Sequence, residues 1–326
     1  MDFCRKVVSR MKDYFFTKPS KITESEDRSK GRSLLKEILR LVRIYFLPWL
    51  GLHYIALYIG IMITFDGGLL AYFKLFAMPN GFMRAFEVMF DLFKNPIAYL
   101  LFTLASAFTI PIIYASSRRK DNLSVRALGL DRNHMWREII CGYFSGVTIV
   151  TAFMLVLVAL GASIKLNSDV SWLLIAIYFI LFLLQGFSEE QAFRGYFMTA
   201  LARRQSLAVS IIISSVAFAC LHVFSGAVSV LTFLNLMLFG VFFSLVFIRR
   251  GSIWFVSAFH AAWNFISTCI LSDSLTGGTL FTVETKPMNH LINGGSYGNE
   301  GSILITGIFV VGILILFIML RKQGEF

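Results

Sequence analysis

The sequence has few charged residues, prolines and cysteines. Only 15% of its 326 residues are Asp, Glu, Lys or Arg, six are proline and four are cysteine, whereas 57% are hydrophobic. An ordinary soluble domain cannot accommodate so apolar a composition, and nothing in it indicates a disordered or collagen-like chain. No internal repeat with the period of a solenoid or a transporter is found. The composition therefore predicts a single polytopic membrane domain.

The cysteines and the first forty residues carry no processing or metal-binding signal. Three cysteines, Cys141, Cys220 and Cys269, lie within apolar stretches and are predicted to be buried thiols, and Cys4 is a weak palmitoylation candidate. No cleavable signal peptide is expected, because the first forty residues are charged and lack a continuous apolar core.

Basic residues concentrate ahead of the first apolar stretch. Of the 30 Lys and Arg, 12 lie between Arg5 and Arg43, and the net charge is +11. This placement is typical of a tail that faces anionic lipid headgroups, so we expect the lipid bilayer as a partner and no nucleic acid. The basic run from Arg28 to Arg43, which includes Arg40, is expected to face water or headgroups.

Eight apolar stretches approach the about 20 residues that a bilayer-spanning helix needs. They are too long for barrel strands, and backbone exposed to lipid must hydrogen-bond internally, so they are predicted to be helices. The fold class is therefore all-α, a polytopic integral membrane protein of about eight transmembrane helices within residues 44–320. The predicted spans are 44–65, 96–115, 139–162, 172–202, 207–224, 228–248, 253–271 and 303–320.

The distribution of Lys and Arg between the loops predicts the orientation. With the N-terminus inside, 24 of these residues fall in cytoplasmic segments and five on the opposite side. We therefore predict a multi-pass protein of the cell membrane with both termini cytoplasmic. Residues 1–43 would form a basic N-terminal tail, 321–326 a short C-terminal tail, and 272–301 a non-cytoplasmic loop that is either a mobile lid or a linker. Residues 68–93, aromatic but charged and interrupted at Pro79 to Gly81, are predicted to form an interfacial amphipathic helical hairpin, the alternative being two extra spans.

Three charged side chains stand inside one predicted span. Glu189 and Glu190 are adjacent, and Arg194 follows at helical spacing. Charges at membrane depth are costly, so such residues are by default candidates for function. A helix places Glu190 and Arg194 on one face and turns Glu189 about 100° away from Glu190. Arg194 can thus neutralise Glu190 while Glu189 faces elsewhere, although a purely structural ion network is an alternative.

Further polar residues occur at similar depth on two other helices. His222 lies near the end of the fifth span, and His260 and Asn264 lie four residues apart on one face of the seventh. At about 1.5 Å per residue, Glu189, His222 and His260 all fall within the hydrocarbon layer. One cavity could therefore contain them if the helices pack together. His53, in an aromatic environment in the first span, is expected to pack and to form a local hydrogen bond.

These residues resemble the ordered motifs of a known family. The segments Glu189 to Arg194, Phe218 to His222 and His260 to Asn264 resemble EExxxR, FxxxH and HxxxN of the CPBP (Abi) intramembrane endopeptidases, which include the type II CAAX prenyl endopeptidases. The resemblance covers about residues 123–270, which would be the catalytic core. It implies an endopeptidase that cleaves membrane-associated or lipid-modified, CAAX-like proteins or peptides.

The resemblance also implies a role for each residue. Glu189 would activate the attacking water, and His222 would orient that water or share its proton. His260 and Asn264 would stabilise the oxyanion, while Glu190 and Arg194 would support the site structurally. The cofactor stays open: Glu189, His222 and His260 match a zinc ligand set, but the chain has no HExxH motif and the same groups can act without metal.

Two other functions fit buried charges. A secondary transporter would also bury acids, an arginine and histidines, but it predicts two related halves and interrupted helices, which the sequence lacks. A non-catalytic membrane scaffold could retain the polar residues for helix association. Serine and aspartate intramembrane proteases are not supported, because neither GxSG nor GxGD is present in the chain.

Overall fold

The computed structural model describes residues 33–322 except 65, 82–83, 85–87, 89–94, 224–227, 273–278 and 286–287. Within these residues the chain is a helical membrane protein. The helices are α1 (Leu34–Thr64), α2 (Gly68–Leu75), α3 (Pro96–Ala107), α4 (Thr109–Arg119), α5 (Met135–Ala159), α6 (Trp172–Glu190), α7 (Thr199–Ala202), α8 (Leu207–His222), α9 (Val230–Arg250), α10 (Ile253–Phe265), α11 (His290–Asn293) and α12 (Ile303–Lys322).

Among the described residues, six continuous helical stretches are long and apolar enough to cross a membrane, which confirms the predicted all-α, multi-pass fold class. The stretches predicted at 207–224 and 303–320 form the shorter apolar helices Leu207–His222 and Ile303–Met319. The exact count of eight crossings is therefore not confirmed. The six longer stretches are Leu34–Thr64, Ile97–Arg119, Met135–Ala159, Trp172–Ala202, Val230–Arg250 and Ile253–Ile270.

Helix α1 begins at Leu34, ten residues before the predicted start of the first span. Its first turns contain Arg40, which the sequence placed in water or at the headgroups. That expectation is wrong for this residue, because Arg40 donates from Nη1 and Nη2 to the Asp121 carboxylate at 3.1 and 2.7 Å and also pairs with Glu37. Two neighbouring carboxylates thus stabilise the partly buried guanidinium, and the Asp121 bond joins α1 to the segment after α4. Residues 1–32, which include Cys4, lie outside the described part of the chain.

Glycines allow α10 to pack closely against α5 and α6. A Cβ added at Gly146 of α5 would lie 2.6 Å from the Phe259 carbonyl oxygen. A Cβ at Gly186 of α6 would lie 2.8 Å from the Ser257 carbonyl oxygen and 2.9 Å from the Ala261 backbone nitrogen. Small residues at helix contacts let backbones approach in this way. Because Gly186 is one turn before Glu190, this contact brings the two glutamates against the helix that carries His260.

A small three-stranded sheet joins the segments after α5 and α10. Its strands are β1 (Ser163–Leu166), β2 (Leu271–Ser272) and β3 (Phe281–Glu284), in the order β1-β3-β2. Strand β3 runs antiparallel to β1, with Ile164 opposite Val283, and parallel to β2. At the end of this pairing Lys165 donates to Glu284 at 2.7 Å, which lowers the pKa of Glu284 below its ordinary value.

The predicted 272–301 loop therefore contains regular structure. Besides β3 it includes α11 and a 3₁₀ segment, Gly295–Gly301. These elements and the sheet lie at the end of α10 opposite to the Arg249 and Arg250 pair. Their position on the non-cytoplasmic side of a membrane stays a prediction.

Only part of the predicted 68–93 hairpin can be compared with the structure. Its first arm is helix α2, which follows Gly67 in the left-handed region at φ 78° and places Phe73 6.1 Å from Tyr58 of α1. Asn80, also at positive φ, 57°, marks the predicted interruption. Most of the second arm lies outside the described residues.

The prediction of three buried thiols is correct for one of them. Cys269 is buried, whereas Cys141 and Cys220 are exposed. An apolar stretch does not show which face of a helix packs inward, so the sequence did not distinguish these two thiols from Cys269.

Candidate active site

The adjacent glutamates end helix α6, where the backbone changes its winding. Ser171 caps the start of α6 by accepting from the Leu174 backbone nitrogen. After Glu190 the chain continues as a π-helix, Gln191–Met198, all of whose residues are buried. Such segments are rare and are frequently found at functional sites.

Glu190 bonds two cationic or ionisable partners through one oxygen. Arg194 Nη1 donates to Glu190 Oε1 at 2.8 Å, and His260 Nδ1 lies 2.9 Å from the same oxygen. The guanidinium also stands over the Phe218 ring, 4.6 Å from its centroid. Glu190 and Arg194 are 0% and 1% exposed, so the charges compensate one another away from water. The predicted Glu190 and Arg194 pair is present, and the bond to His260 is an addition that the sequence did not predict.

The two carboxylate oxygens of Glu189 have different surroundings. Its Oε1 accepts from Gln185 Nε2 at 3.2 Å, one turn earlier on α6. Its Oε2 is buried and has no hydrogen-bonding partner in the described part of the chain. Nε2 of His222 lies 4.0 Å from Oε2, and Nε2 of His260 lies 3.9 Å from it. Glu189 therefore faces both histidines across a gap too wide for a direct hydrogen bond.

The hydrogen bonds at Nδ1 define the tautomers of the two histidines. His222 Nδ1 lies 2.9 Å from the Phe218 carbonyl oxygen, which can only accept. His260 Nδ1 faces the Glu190 carboxylate, which also accepts when ionised. Each neutral ring thus carries its proton on Nδ1 and presents a lone pair at Nε2. In these neutral forms, the Nε2 atoms of both rings and Oε2 of Glu189 face one space as hydrogen-bond acceptors.

All four residues predicted to be catalytic line a single cavity of about 740 Å³. Helix α6 contributes Glu189, α8 contributes His222, and α10 contributes His260 and the partly buried Asn264. Asn264 has no hydrogen-bonding partner among the described residues, so its amide is available to a bound group. The structure brings these side chains together, whereas their catalytic roles stay predictions.

The chemical types of Glu189, His222 and His260 suit zinc, but the distances between their ligand atoms do not. Both histidines bond a second group through Nδ1, as zinc-binding histidines do. Ligand atoms about 2.0–2.1 Å from a tetrahedral zinc lie about 3.4 Å apart, however, and the separations here are 3.9 and 4.0 Å. Among the described residues, no group of three His, Cys, Asp or Glu side chains is close enough to hold a metal ion. Two atoms about 4 Å apart can both bond one water at about 2.8 Å, so the arrangement fits a water molecule as it stands.

Several residues that line the cavity were not assigned to the site from the sequence. Gln185 lies four residues before Glu189, so helical spacing alone could have identified it. His53 bonds the Trp49 carbonyl oxygen at 2.8 Å and Ser106 Oγ at 3.2 Å, which confirms the predicted local hydrogen bond, and its side chain also lines the cavity. Glu300 reaches the cavity from the segment after α11, and no sequence pattern indicates this.

Comparison with protein families identifies part of the chain. The model of the family described as type II CAAX prenyl endopeptidase Rce1-like matches residues 171–266. This range contains the glutamate pair, both histidines and Asn264, but not the portion of the predicted core before residue 171. No curated protein and no solved structure matches the chain. Residues 171–266 therefore carry a domain that matches the Rce1-like type II CAAX prenyl endopeptidases, in agreement with the resemblance of the three sequence motifs.

Proposed function

We propose that the protein is an intramembrane endopeptidase that cleaves membrane-associated or lipid-modified proteins or peptides with a water molecule activated by Glu189. The observation that carries the proposal is that Oε2 of Glu189 has no hydrogen-bonding partner among the described residues and is faced by Nε2 of both histidines at about 4 Å. A water in this space can donate one hydrogen to Glu189 and the other to His222. Both lone pairs of its oxygen then remain for attack on a carbonyl carbon.

The proton path follows from these positions. Glu189 Oε2 takes a proton from the water as the oxygen bonds the peptide carbonyl carbon, which becomes tetrahedral. The Gln185 bond to Oε1 keeps the carboxylate oriented during this step. When the carbon–nitrogen bond breaks, the protonated Glu189 returns that proton to the leaving amine. The carboxylate is then ready for the next water.

Stabilisation of the oxyanion falls to Asn264 and His260. The Asn264 amide donates without any change of protonation. His260 would donate from Nε2 only if its ring had taken a second proton from solvent before the reaction, and the Glu190 carboxylate at Nδ1 would stabilise that positive ring. Glu190 and His260 would act like the carboxylate and histidine of a serine protease, where the acid orients the ring and stabilises its positive charge. Glu190 thus acts on the site through His260.

An apolar substrate is supported by a second cavity. It measures about 270 Å³, lies between α1, the π-helix and α8, and shares Tyr45 and Leu221 with the catalytic cavity. Its remaining lining residues are mostly apolar and include Ala217 and Phe193. A hydrophobic side chain or lipid group lying here would place the attached peptide beside the catalytic cavity.

We propose that cleavage does not require a metal ion. If zinc is bound, Glu189, His222 and His260 would hold it, and it would supply Lewis acidity towards the water. The spacing described above favours water alone.

Cleavage by the purified, reconstituted full chain tests the proposal. We expect cleavage of hydrophobic or lipid-modified membrane peptides by the wild type, and its loss in His222→Ala and His260→Ala with folding retained. The secondary-transporter alternative predicts instead that sealed vesicles accumulate solute without peptide cleavage. A scaffold predicts neither activity, and either of these results would refute the protease proposal.

A further inference from the structure

A carboxylate that the proposed mechanism does not use lines the catalytic cavity. Glu300 belongs to the 3₁₀ segment Gly295–Gly301, and its Oε1 accepts from Trp263 Nε1 at 2.6 Å. Trp263 follows His260 by three residues on α10, about 4.5 Å along the helix axis. Glu300 thus faces the cavity within a few helical turns of the groups that surround the proposed water.

The backbone around Glu300 is firmly attached to the membrane helices. Asn235 of α9 donates from Nδ2 to the carbonyl oxygens of Glu300 and Ser302 at 2.7 and 2.9 Å. Asn299 Nδ2 donates to Ser267 Oγ at 2.6 Å. Fixed backbone and a bonded Oε1 leave the carboxylate little freedom. A preorganised charge of this kind binds a complementary group without a large loss of side-chain entropy.

Among the described residues, no Lys or Arg lines the cavity to balance this charge. The lining includes two carboxylates, Glu189 and Glu300. No ion pair joins Glu300 to any described cation, and Trp263 is a neutral donor. Clefts lined by charges of one sign with apolar walls concentrate the field and attract the opposite charge.

From these observations we propose that Glu300 is a specificity-determining residue that binds a cationic nitrogen of the substrate, a Lys or Arg side chain or a free amino group near the scissile bond. This inference rests on the proposed protease function and narrows its substrate class to peptides with a basic group. A free C-terminal carboxylate at the same place would meet Glu300 and find no lining cation among the described residues. Such a terminus is therefore disfavoured relative to its amide.

The test uses the full chain and pairs of labelled membrane peptides that differ at one position. Lys is compared with Met at each of several positions on both sides of the cleaved bond, and free N- and C-termini are compared with blocked ones. The blocked N-termini distinguish an amino terminus from a side chain as the source of the charge. We expect the wild type to prefer the basic peptide at one or two positions by about 10- to 100-fold in kcat/KM, the range of one lost charge-assisted hydrogen bond.

Glu300→Gln removes the charge while keeping an oxygen for Trp263, and it should abolish the preference without abolishing cleavage. The matched control is Glu284→Gln, which makes the same change in β3 outside the cavity and should keep the preference. Lys286→Gln, at a position outside the described residues, is a second control and should also keep the preference. A wild type that cleaves Lys and Met peptides equally, or a preference that survives Glu300→Gln, overturns the inference.

A binding measurement separates this inference from the proposed reaction. Fluorescence anisotropy of the same peptides is measured with Glu189→Gln protein, alone and combined with Glu300→Gln. If the basic peptide binds more tightly and this difference depends on Glu300, the cation site is supported. Absence of cleavage by the wild type would then refute only the proposed protease function. Equal binding of basic and neutral peptides refutes the cation site whatever is found for cleavage.

Discussion

His260 Nδ1 lies 2.9 Å from Glu190 Oε1, so the second of two adjacent glutamates bonds the histidine that faces the first. The same Glu190 oxygen accepts from Arg194 at 2.8 Å. One residue therefore links the buried charge balance of α6 to the orientation of a ring on α10. This relationship gives Glu190 a role in the site as well as in the fold.

Replacement of Glu190 by Gln should destabilise the protein strongly. The change leaves the Arg194 guanidinium, 1% exposed, without its charged partner. Removing one member of a buried pair costs about 3–5 kcal/mol. Thermal unfolding in detergent should show a marked drop in midpoint, larger than that of Glu138→Gln, whose partner Arg250 is 30% exposed. Equal midpoints for the two variants would contradict the importance of the Glu190 pair.

Gln185 should affect the rate more than the affinity. Gln185→Leu removes the donor to Glu189 Oε1 and leaves the carboxylate free to rotate away from the histidines. We expect kcat to fall about 10-fold with little change in KM, as for loss of one hydrogen bond to a charged group. Steady-state kinetics on a cleaved membrane peptide separate the two parameters. A rise in KM at constant kcat would instead place Gln185 in substrate binding.

The second cavity should discriminate between lipid-modified and unmodified substrates. Ala217→Phe would fill part of it, and we expect cleavage of a lipid-modified peptide to fall about 10-fold while the unmodified peptide is unaffected. Ala208→Phe, on the same helix but outside the cavity lining, is the matched control. An equal loss for both peptides would indicate a general packing defect and would contradict a lipid-binding role.

Metal removal should leave the activity intact. The proposed water is held by Glu189 and His222, whose separation of 4.0 Å suits hydrogen bonds to a common molecule. We expect full cleavage in samples with far less than one zinc per chain and after dialysis against a chelator. Loss of activity with the chelator and recovery on addition of zinc would show that the three side chains contract around a metal.

The outline of the site was predictable, and its detail was not. Glu189, His222, His260 and Asn264 could be assigned to one cavity because helical spacing and depth apply to each helix separately. The Glu190 bond to His260 depends on how closely α6 approaches α10, which Gly186 decides and periodicity does not show. The π-helix after Glu190 has the same apolar character as an α-helix, so composition cannot identify it.

The extramembrane parts were harder to predict for a related reason. Strands β1 to β3 have only two to four residues each, too few for an alternating pattern, and the β1–β3 pair joins segments more than 100 residues apart in the chain. Arg40 was expected in water because its partner Asp121 is 81 residues away. Glu300 likewise lies at the cavity because of contacts with residues distant in the chain, Trp263 and Asn235.

The rate of peptide cleavage by Glu189→Gln is the most direct test of the proposed mechanism. The substitution keeps the size of the side chain and the oxygen that Gln185 bonds, but it removes the base. We expect a loss of about 100- to 10,000-fold in kcat relative to the wild type, with peptide binding and the thermal midpoint retained. Cleavage by Glu189→Gln at the wild-type rate would show that Glu189 is not the base, and the mechanism would be wrong.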